Sequence, residues 1–287
     1  MSEAPAKPKR TWRWQAKRLL IGLSVVTLGW FLLLGCVERS LLYPARYLPA
    51  PDPLDLPPHA RELSVEQDQG RTFAHLYLGQ GVDADNPGPV VLYSHGNGEL
   101  IENYADGLPG YRALGVSVML IEYRGCGRSD GEPTKQRIDA DHAAFYDLAL
   151  TLPEIDPDRV VFHGRSMGGG IIASLTQRRT PAALVLESTY TNIKDFAAKL
   201  LVPGFIVKDN YDVTAALNSY TGPVMIVHSE RDGTIPFDMS QTNLAARPDA
   251  AFHSYDLHHN DPMPSRFYAD LADFLQEAGV LAPEVLP

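Results

Sequence analysis

The stretch Gly164-Arg165-Ser166-Met167-Gly168 constrains this chain more than any other. An apolar run, Val160-Val161-Phe162, leads into it, and Gly169, Gly170 and the run Ile171–Leu175 follow. That order predicts a strand, a sharp turn and a helix, with a serine at the turn. Glycines two residues before and two after the serine suit a turn where side chains would clash. A serine hydroxyl standing clear of the backbone is open to a carbonyl carbon. It becomes a nucleophile once a neighbouring base takes its proton. The helix that starts there aims its first N–H groups and its positive dipole end at developing negative charge.

Strand and helix patterns alternate along most of the chain. Glu62–Glu66 and Thr72–Leu78 read as an antiparallel edge hairpin. Pro89–Tyr93, Val116–Tyr123, Arg159–His163, Ala182–Leu186 and Pro223–Val227 read as buried strands, and Ala250–Leu257 closes the sheet. Ile138, Phe145, Leu148 and Leu152 fall at helical spacing and predict a helix over Pro133–Leu152. Phe267, Leu271 and Phe274 do the same for Arg266–Glu277. Such alternation predicts an α/β protein: a parallel sheet covered by helices on both faces. A length of 287 residues suits one larger α/β domain or two small ones.

The N-terminal segment is different. Lys7, Lys9, Arg10, Arg13, Lys17 and Arg18 stand against Glu3 alone, although the whole chain carries a net charge of −10. The acidic body argues against nucleic acid as a partner. From Leu19 to Gly35 no residue is charged, and Cys36 and Val37 extend the run to a length that spans a bilayer as a helix. The basic flank places the N-terminus in the cytoplasm and the body across the membrane, with Trp12 and Trp14 suited to the interface. The same segment also reads as a secretory signal. Its end, Leu33-Leu34-Gly35-Cys36, resembles a bacterial lipoprotein processing site, at which the cysteine becomes a lipid-modified N-terminus. Leu34 is larger than that pattern favours. Either way residues 1–40 hold the body at a membrane. Residues 41–60, with Pro44, Pro49, Pro51, Pro53, Pro57 and Pro58, predict an extended linker, and residues 61–287 the folded domain.

A serine nucleophile needs a base, and the base needs an orienting acid. In open α/β sheets these groups sit beyond the C-terminal ends of strands. Val224–Val227 runs into His228-Ser229-Glu230-Arg231-Asp232-Gly233, which makes Asp232 the candidate acid. Ala250–Leu257 runs into His258-His259-Asn260-Asp261. Adjacent side chains on an extended loop point apart, so one of the two histidines faces the serine, and the residues alone do not choose. Glu187, after Ala182–Leu186, is an alternative acid. The oxyanion donors are expected to be the N–H of Met167 and that of Asn97, in the loop Ser94-His95-Gly96-Asn97-Gly98. His95 reads as a group that shapes this loop, and His75, His142, His163, His228 and His253 as structural. Cys126 reads as a small loop filler. Cys36 and Cys126 are too few for a disulfide framework. With no zinc-type Cys/His spacing and no glycine-rich phosphate loop, no metal or organic cofactor is expected.

Five motifs together resemble the α/β-hydrolase fold: His95-Gly96-Asn97-Gly98, Tyr123-Arg124-Gly125-Cys126-Gly127-Arg128-Ser129, Gly164–Gly168, Asp232-Gly233-Thr234-Ile235-Pro236 and His259-Asn260-Asp261. More closely they resemble its membrane-anchored branch, which includes lysophospholipid and monoacylglycerol lipases and protein depalmitoylases. The resemblance covers roughly residues 60–280. It implies a mostly parallel eight-stranded sheet with a small cap insertion at about 190–222. It also implies a triad of Ser166, Asp232 and His259, since His259 is the histidine before the asparagine; His258 stands where the family usually has glycine. The implied activity is hydrolysis of a carboxylic ester or thioester of a small molecule or lipid, with a prolyl-oligopeptidase-like peptidase as the alternative and an inactive binding protein less favoured. Ile193, Phe196, Leu200 and Phe205 give the cap region the apolar density of an acyl-chain pocket or of plain helix packing.

Overall fold

The computed structural model describes residues 12–49, 51–52 and 55–282. Glu3, Lys7, Lys9, Arg10 and Pro53, invoked above, lie outside the described residues. In chain order the elements are helix α1 (Trp12–Leu42), strands β1 (Ala60–Gln67), β2 (Gly70–Tyr77) and β3 (Gly88–Ser94), helix α2 (Pro109–Ala113), β4 (Ser117–Ile121), α3 (Lys135–Ala149), β5 (Ile155–Arg165), α4 (Met167–Leu175), β6 (Ala183–Glu187), α5 (Ile193–Lys199), α6 (Val213–Ser219), β7 (Val224–Ser229), α7 (Phe237–Ala246), β8 (Ala251–Tyr255) and α8 (Ser265–Glu277).

The strands form one eight-stranded sheet in the order β1-β2-β4-β3-β5-β6-β7-β8. β1 and β2 pair antiparallel, as does β2 with β4, and every pairing from β4 to β8 is parallel. This is the α/β architecture expected, with the hairpin at one edge. Side chains alternate across the pleat, so each strand feeds two cores. Val160 and Phe162 of β5 pack with Ile138, Phe145 and Ile171 on one face, and Val161 packs with Tyr111, Phe267 and Leu271 on the other. α3 starts at Thr134, whose hydroxyl accepts the N–H of Arg137. Phe267, Leu271, Phe274 and Leu275 bury one face of α8 at the predicted spacing.

Two features depart from expectation. α1 does not stop where the apolar run ends but continues through Glu38 and Arg39 to Leu42. The segment after it is not an extended spacer at its start: Pro44–Tyr47 is a 3-10 turn, and Tyr43 and Ala45 are fully buried. The cause lies far along the chain. Glu38 Oε1 accepts the N–H groups of Lys208 (2.6 Å) and Asp209 (3.1 Å), and Lys208 Nζ donates to the Gly35 carbonyl (2.7 Å). The Tyr43 hydroxyl donates to Asp209 Oδ2 (3.4 Å) and lies 3.2 Å from the Tyr211 hydroxyl. Burying a polar group without a partner costs about 1–3 kcal/mol. Glu38 and the two amides therefore hold one another in place, and the foot of α1 is fixed to the domain.

Candidate active site

Ser166 sits between β5 and α4 with φ 54° and ψ −119°, a conformation side chains rarely adopt. Two glycines make it possible. A Cβ on Gly164 would collide with the Gly168 carbonyl, and one on Gly168 with the Ser94 carbonyl. The turn is then pinned to the end of β6. The Ser166 N–H donates to the Glu187 carbonyl (2.8 Å), and the Thr189 hydroxyl donates to the Ser166 carbonyl (2.7 Å).

The structure brings Ser166, His259 and Asp232 together from three loops. His259 Nε2 lies 3.1 Å from Ser166 Oγ, and His259 Nδ1 lies 2.6 Å from Asp232 Oδ2. A carboxylate accepts, so Nδ1 carries the proton and Nε2 offers its lone pair to the serine hydroxyl. Asp232 Oδ1 accepts the N–H groups of Thr234 and Ile235, both at 2.8 Å. Burial works to raise the Asp232 pKa, but the bonds from His259 and these amides outweigh it, and it is held below the usual value. His228 lies under the acid, with Nε2 3.0 Å from the Ile235 carbonyl and 3.6 Å from Asp232 Oδ2. His258 turns away: its Nδ1 lies 3.2 Å from the Arg231 carbonyl. Glu187, the alternative acid, lies instead beside Arg165 and His163, at 3.3 and 3.2 Å.

Met167 opens α4, and Gly96–Gly98 passes beside it, all on the cavity wall that carries Ser166. The Gly96 N–H is taken by Glu99 Oε2 (2.7 Å), and the Asn97 N–H has no acceptor among the described residues. His95 braces this loop. Its Nδ1 lies 2.8 Å from the Gly96 carbonyl and its Nε2 3.1 Å from Glu122 Oε1. Both partners are acceptors, so both nitrogens carry protons. Burial opposes that charge, yet Glu122 and the Gly96 carbonyl raise the pKa overall. The ring stacks on Tyr123, whose hydroxyl donates to the His95 carbonyl, and next to it Arg124 pairs through two bonds with buried Asp141 (2.9 and 2.6 Å). The motif from Tyr123 onward thus supports the loop of Asn97. Cys126 is buried, and burial followed by Glu122 pushes its thiol well up, away from nucleophilic chemistry.

Ser94, at the root of the same loop, donates to His142 Nε2 (2.8 Å), because His142 Nδ1 donates to the Ile138 carbonyl (2.9 Å). Burial lowers the His142 pKa to about 4. A neutral, buried histidine contributes stability fully above its unfolded value of about 6.5. That contribution is lost as the pH falls from there toward about 4. From pH 7.5 to pH 5 the loss amounts to about 2 kcal/mol. His95 works in the opposite direction, so the contrast with a variant isolates the effect. In chemical denaturation, His142→Gln is expected to lose about 2 kcal/mol less than wild type over this interval; equal losses would show that His142 does not carry it.

Sequence reasoning missed Arg165. Its Nη1 donates to Glu99 Oε1 (2.5 Å), and its Nη2 donates to the His259 carbonyl (2.6 Å) and to Asn260 Oδ1 (3.1 Å). It ties the histidine loop to the serine turn and to the loop of Asn97. The partners lie 66 and 94 residues away in the chain, so no local pattern signals the role.

Ser166, Met167 and Asn97 line a cavity of about 610 Å³. Its walls are mostly apolar, with Tyr190, Ile193, Phe196 and Val202 from the region after β6 and Leu34, Leu41 and Leu42 from α1. That size suits one drug-sized ligand. Among the described residues no His/Cys/Asp/Glu group has a metal-binding arrangement.

Comparison with known proteins agrees with this fold. The profile of the serine aminopeptidase S33 family matches residues 85–207. An uncharacterized protein of Mycobacterium tuberculosis is 28% identical over 267 residues, covering 90% of this chain and 94% of that protein. Lysophosphatidylserine lipase ABHD12 of Danio rerio is 30% identical over 189 residues, covering 55% of this chain and 48% of the lipase. The solved structure of the Pyrococcus furiosus esterase Pf2001 superposes with a TM-score of 0.63 at 16% identity, covering 82% of this chain and 96% of the esterase, a likeness of fold. With this sheet, this turn and these relatives, the chain has the α/β-hydrolase fold and is a hydrolase.

Proposed function

We propose that this hydrolase is held at a membrane by α1 and cleaves a carboxylic ester or thioester of an acyl compound through Ser166, His259 and Asp232. The observation that carries the reading is the file of hydrogen bonds from Asp232 through His259 to Ser166, opening on an apolar cavity. Ser166 Oγ attacks the carbonyl carbon as His259 takes its proton, and Asp232 stabilises the imidazolium. The N–H groups of Asn97 and Met167 hold the oxyanion. His259 returns the proton to the leaving alcohol or thiol. Water then attacks the acyl-enzyme by the same route, releasing the acid and restoring Ser166. Among the described residues α1 is the one helix long and apolar enough to cross a membrane. The basic flank supports a cytoplasmic N-terminus and a body on the opposite side. Cys36 stays a candidate for lipid modification; an intact Met1 and an unmodified Cys36 by mass spectrometry would remove that variant of the tether.

A second reading is an aminopeptidase, favoured by the family description and by Glu38. Glu38 lines the cavity, and its Oε2 is buried without a hydrogen-bond partner, the kind of group that would face a substrate ammonium. A substrate panel separates the two. Turnover of p-nitrophenyl acyl esters is expected to rise with chain length, each buried CH2 contributing about 0.8 kcal/mol or roughly fourfold. Aminoacyl p-nitroanilides are expected to stay intact. Cleavage of the anilides that is lost in Glu38→Gln would establish the peptidase reading instead.

A further inference from the structure

α1 is more than a tether, because its foot is part of the cavity wall. Leu41 of α1 and Leu200 of the segment after α5 both line the cavity, yet they are 64% and 63% exposed. They mark a mouth between α1 and that segment. Just outside it, Leu201 is 93% and Phe205 76% exposed, and neither lines the cavity. Phe205 meets Phe31 of α1 edge-on, with ring centroids 5.5 Å apart.

This contact sets a depth. Phe31 lies six residues before Val37, the end of the apolar run, which is about 9 Å along the helix axis. When Leu19–Val37 fills the hydrocarbon layer, Phe31 is submerged by that distance, and Phe205 with it. Entering hydrocarbon favours Leu201 and Phe205, whereas in water they would leave an apolar patch bare. The bonds of Glu38 to the Lys208 and Asp209 amides and of Lys208 to Gly35 prevent the segment from swinging away.

We propose that the cavity opens sideways into the bilayer, between α1 and residues 200–205, and that its substrate is a single-chain acyl lipid that reaches Ser166 without leaving the membrane. The inference rests on the acyl-ester reading above for its substrate, but not for its geometry. The cavity's volume suits one acyl chain.

The test uses the full chain in lipid vesicles. Phe205→Cys is made in a Cys36→Ser background, where Cys126 is buried, and carries an environment-sensitive fluorophore. Quenching by lipids brominated in their acyl chains, with protection from aqueous iodide, is expected. Quenching by iodide overturns the proposal whether or not the enzyme is active. The double variant Leu201→Asp, Phe205→Asp then separates access from chemistry. Release of fatty acid from a palmitoyl lysophospholipid in the vesicles is expected to fall at least about tenfold, while hydrolysis of a water-soluble butyryl ester stays within about twofold. Equal loss on both substrates, or no loss on the lipid, overturns the proposal. A wild type that cleaves neither ester instead removes the acyl-ester reading and the lipid substrate with it, and the quenching result then decides the membrane-facing mouth alone.

Discussion

Ser166→Ala is expected to lower ester turnover by about 10⁴- to 10⁶-fold and to abolish labelling by a fluorophosphonate probe, without unfolding the protein. The loss and the intact fold have separate causes. The hydroxyl of Ser166 bonds to His259 and to no other group among the described residues, so its removal deletes the nucleophile and little else. The turn itself is held by backbone atoms: the Ser166 N–H on the Glu187 carbonyl, and the Ser166 carbonyl under the Thr189 hydroxyl. Its strained φ of 54° costs alanine as much as serine. Equal melting temperatures with lost labelling are therefore the expected pair. His259→Ala is expected to follow Ser166→Ala, and His258→Ala to label like wild type. Labelling that survives in Ser166→Ala sinks the assignment, and a folded wild type that never labels moves the lead to a tethered binding protein.

The parts of this fold legible in the sequence are those set by short-range rules. The parallel strands β3, β4, β6 and β7 are largely apolar runs buried on both faces, and α3 and α8 repeat their apolar residues at helical spacing. The serine turn was legible because glycine is demanded at fixed offsets, and Gly164 and Gly168 face backbone atoms that admit no Cβ. α2, α5 and α6 have five to seven residues, too few to show a period, and packing decides that they are helical.

Residues whose partners are distant were not legible. The prolines from Pro44 onward read as a spacer, yet Tyr43 reaches Asp209 and Tyr211, 166 and 168 residues on. Glu38 and Arg39 end the uncharged run but not the helix, because Glu38 meets backbone amides and Arg39 lies 3.5 Å from Asp209. The choice between His258 and His259 has the same character. The two side chains are chemically alike, so only the resemblance, with its histidine before asparagine, chose His259; physically it is the loop's path, held by Arg165 on the His259 carbonyl, that turns it toward Ser166.

Asp232→Asn is expected to cost about 10⁴-fold in turnover while leaving the loop folded, as the change of one tautomer can in a serine–histidine–acid site. Asp232 accepts three hydrogen bonds: Oδ1 from the amides of Thr234 and Ile235, and Oδ2 from His259 Nδ1. An asparagine keeps its one acceptor oxygen where two amides need it. Its NH2 group then occupies the position of Oδ2 and faces His259 Nδ1. Two donors cannot share a 2.6 Å contact, so the imidazole moves its proton to Nε2 and receives from the asparagine at Nδ1. Nε2, 3.1 Å from Ser166 Oγ, then presents a proton rather than a lone pair, and the base is gone although every atom is nearly in place. Asp232→Ala provides the contrast. It frees the imidazole but strips both amides of their acceptor, at about 1–3 kcal/mol each, so it is expected to lose stability as well as activity. Thermal melts and probe-labelling rates on the two variants separate the cases. An Asp232→Asn protein that labels at the wild-type rate would show that the acid does not set the tautomer of His259.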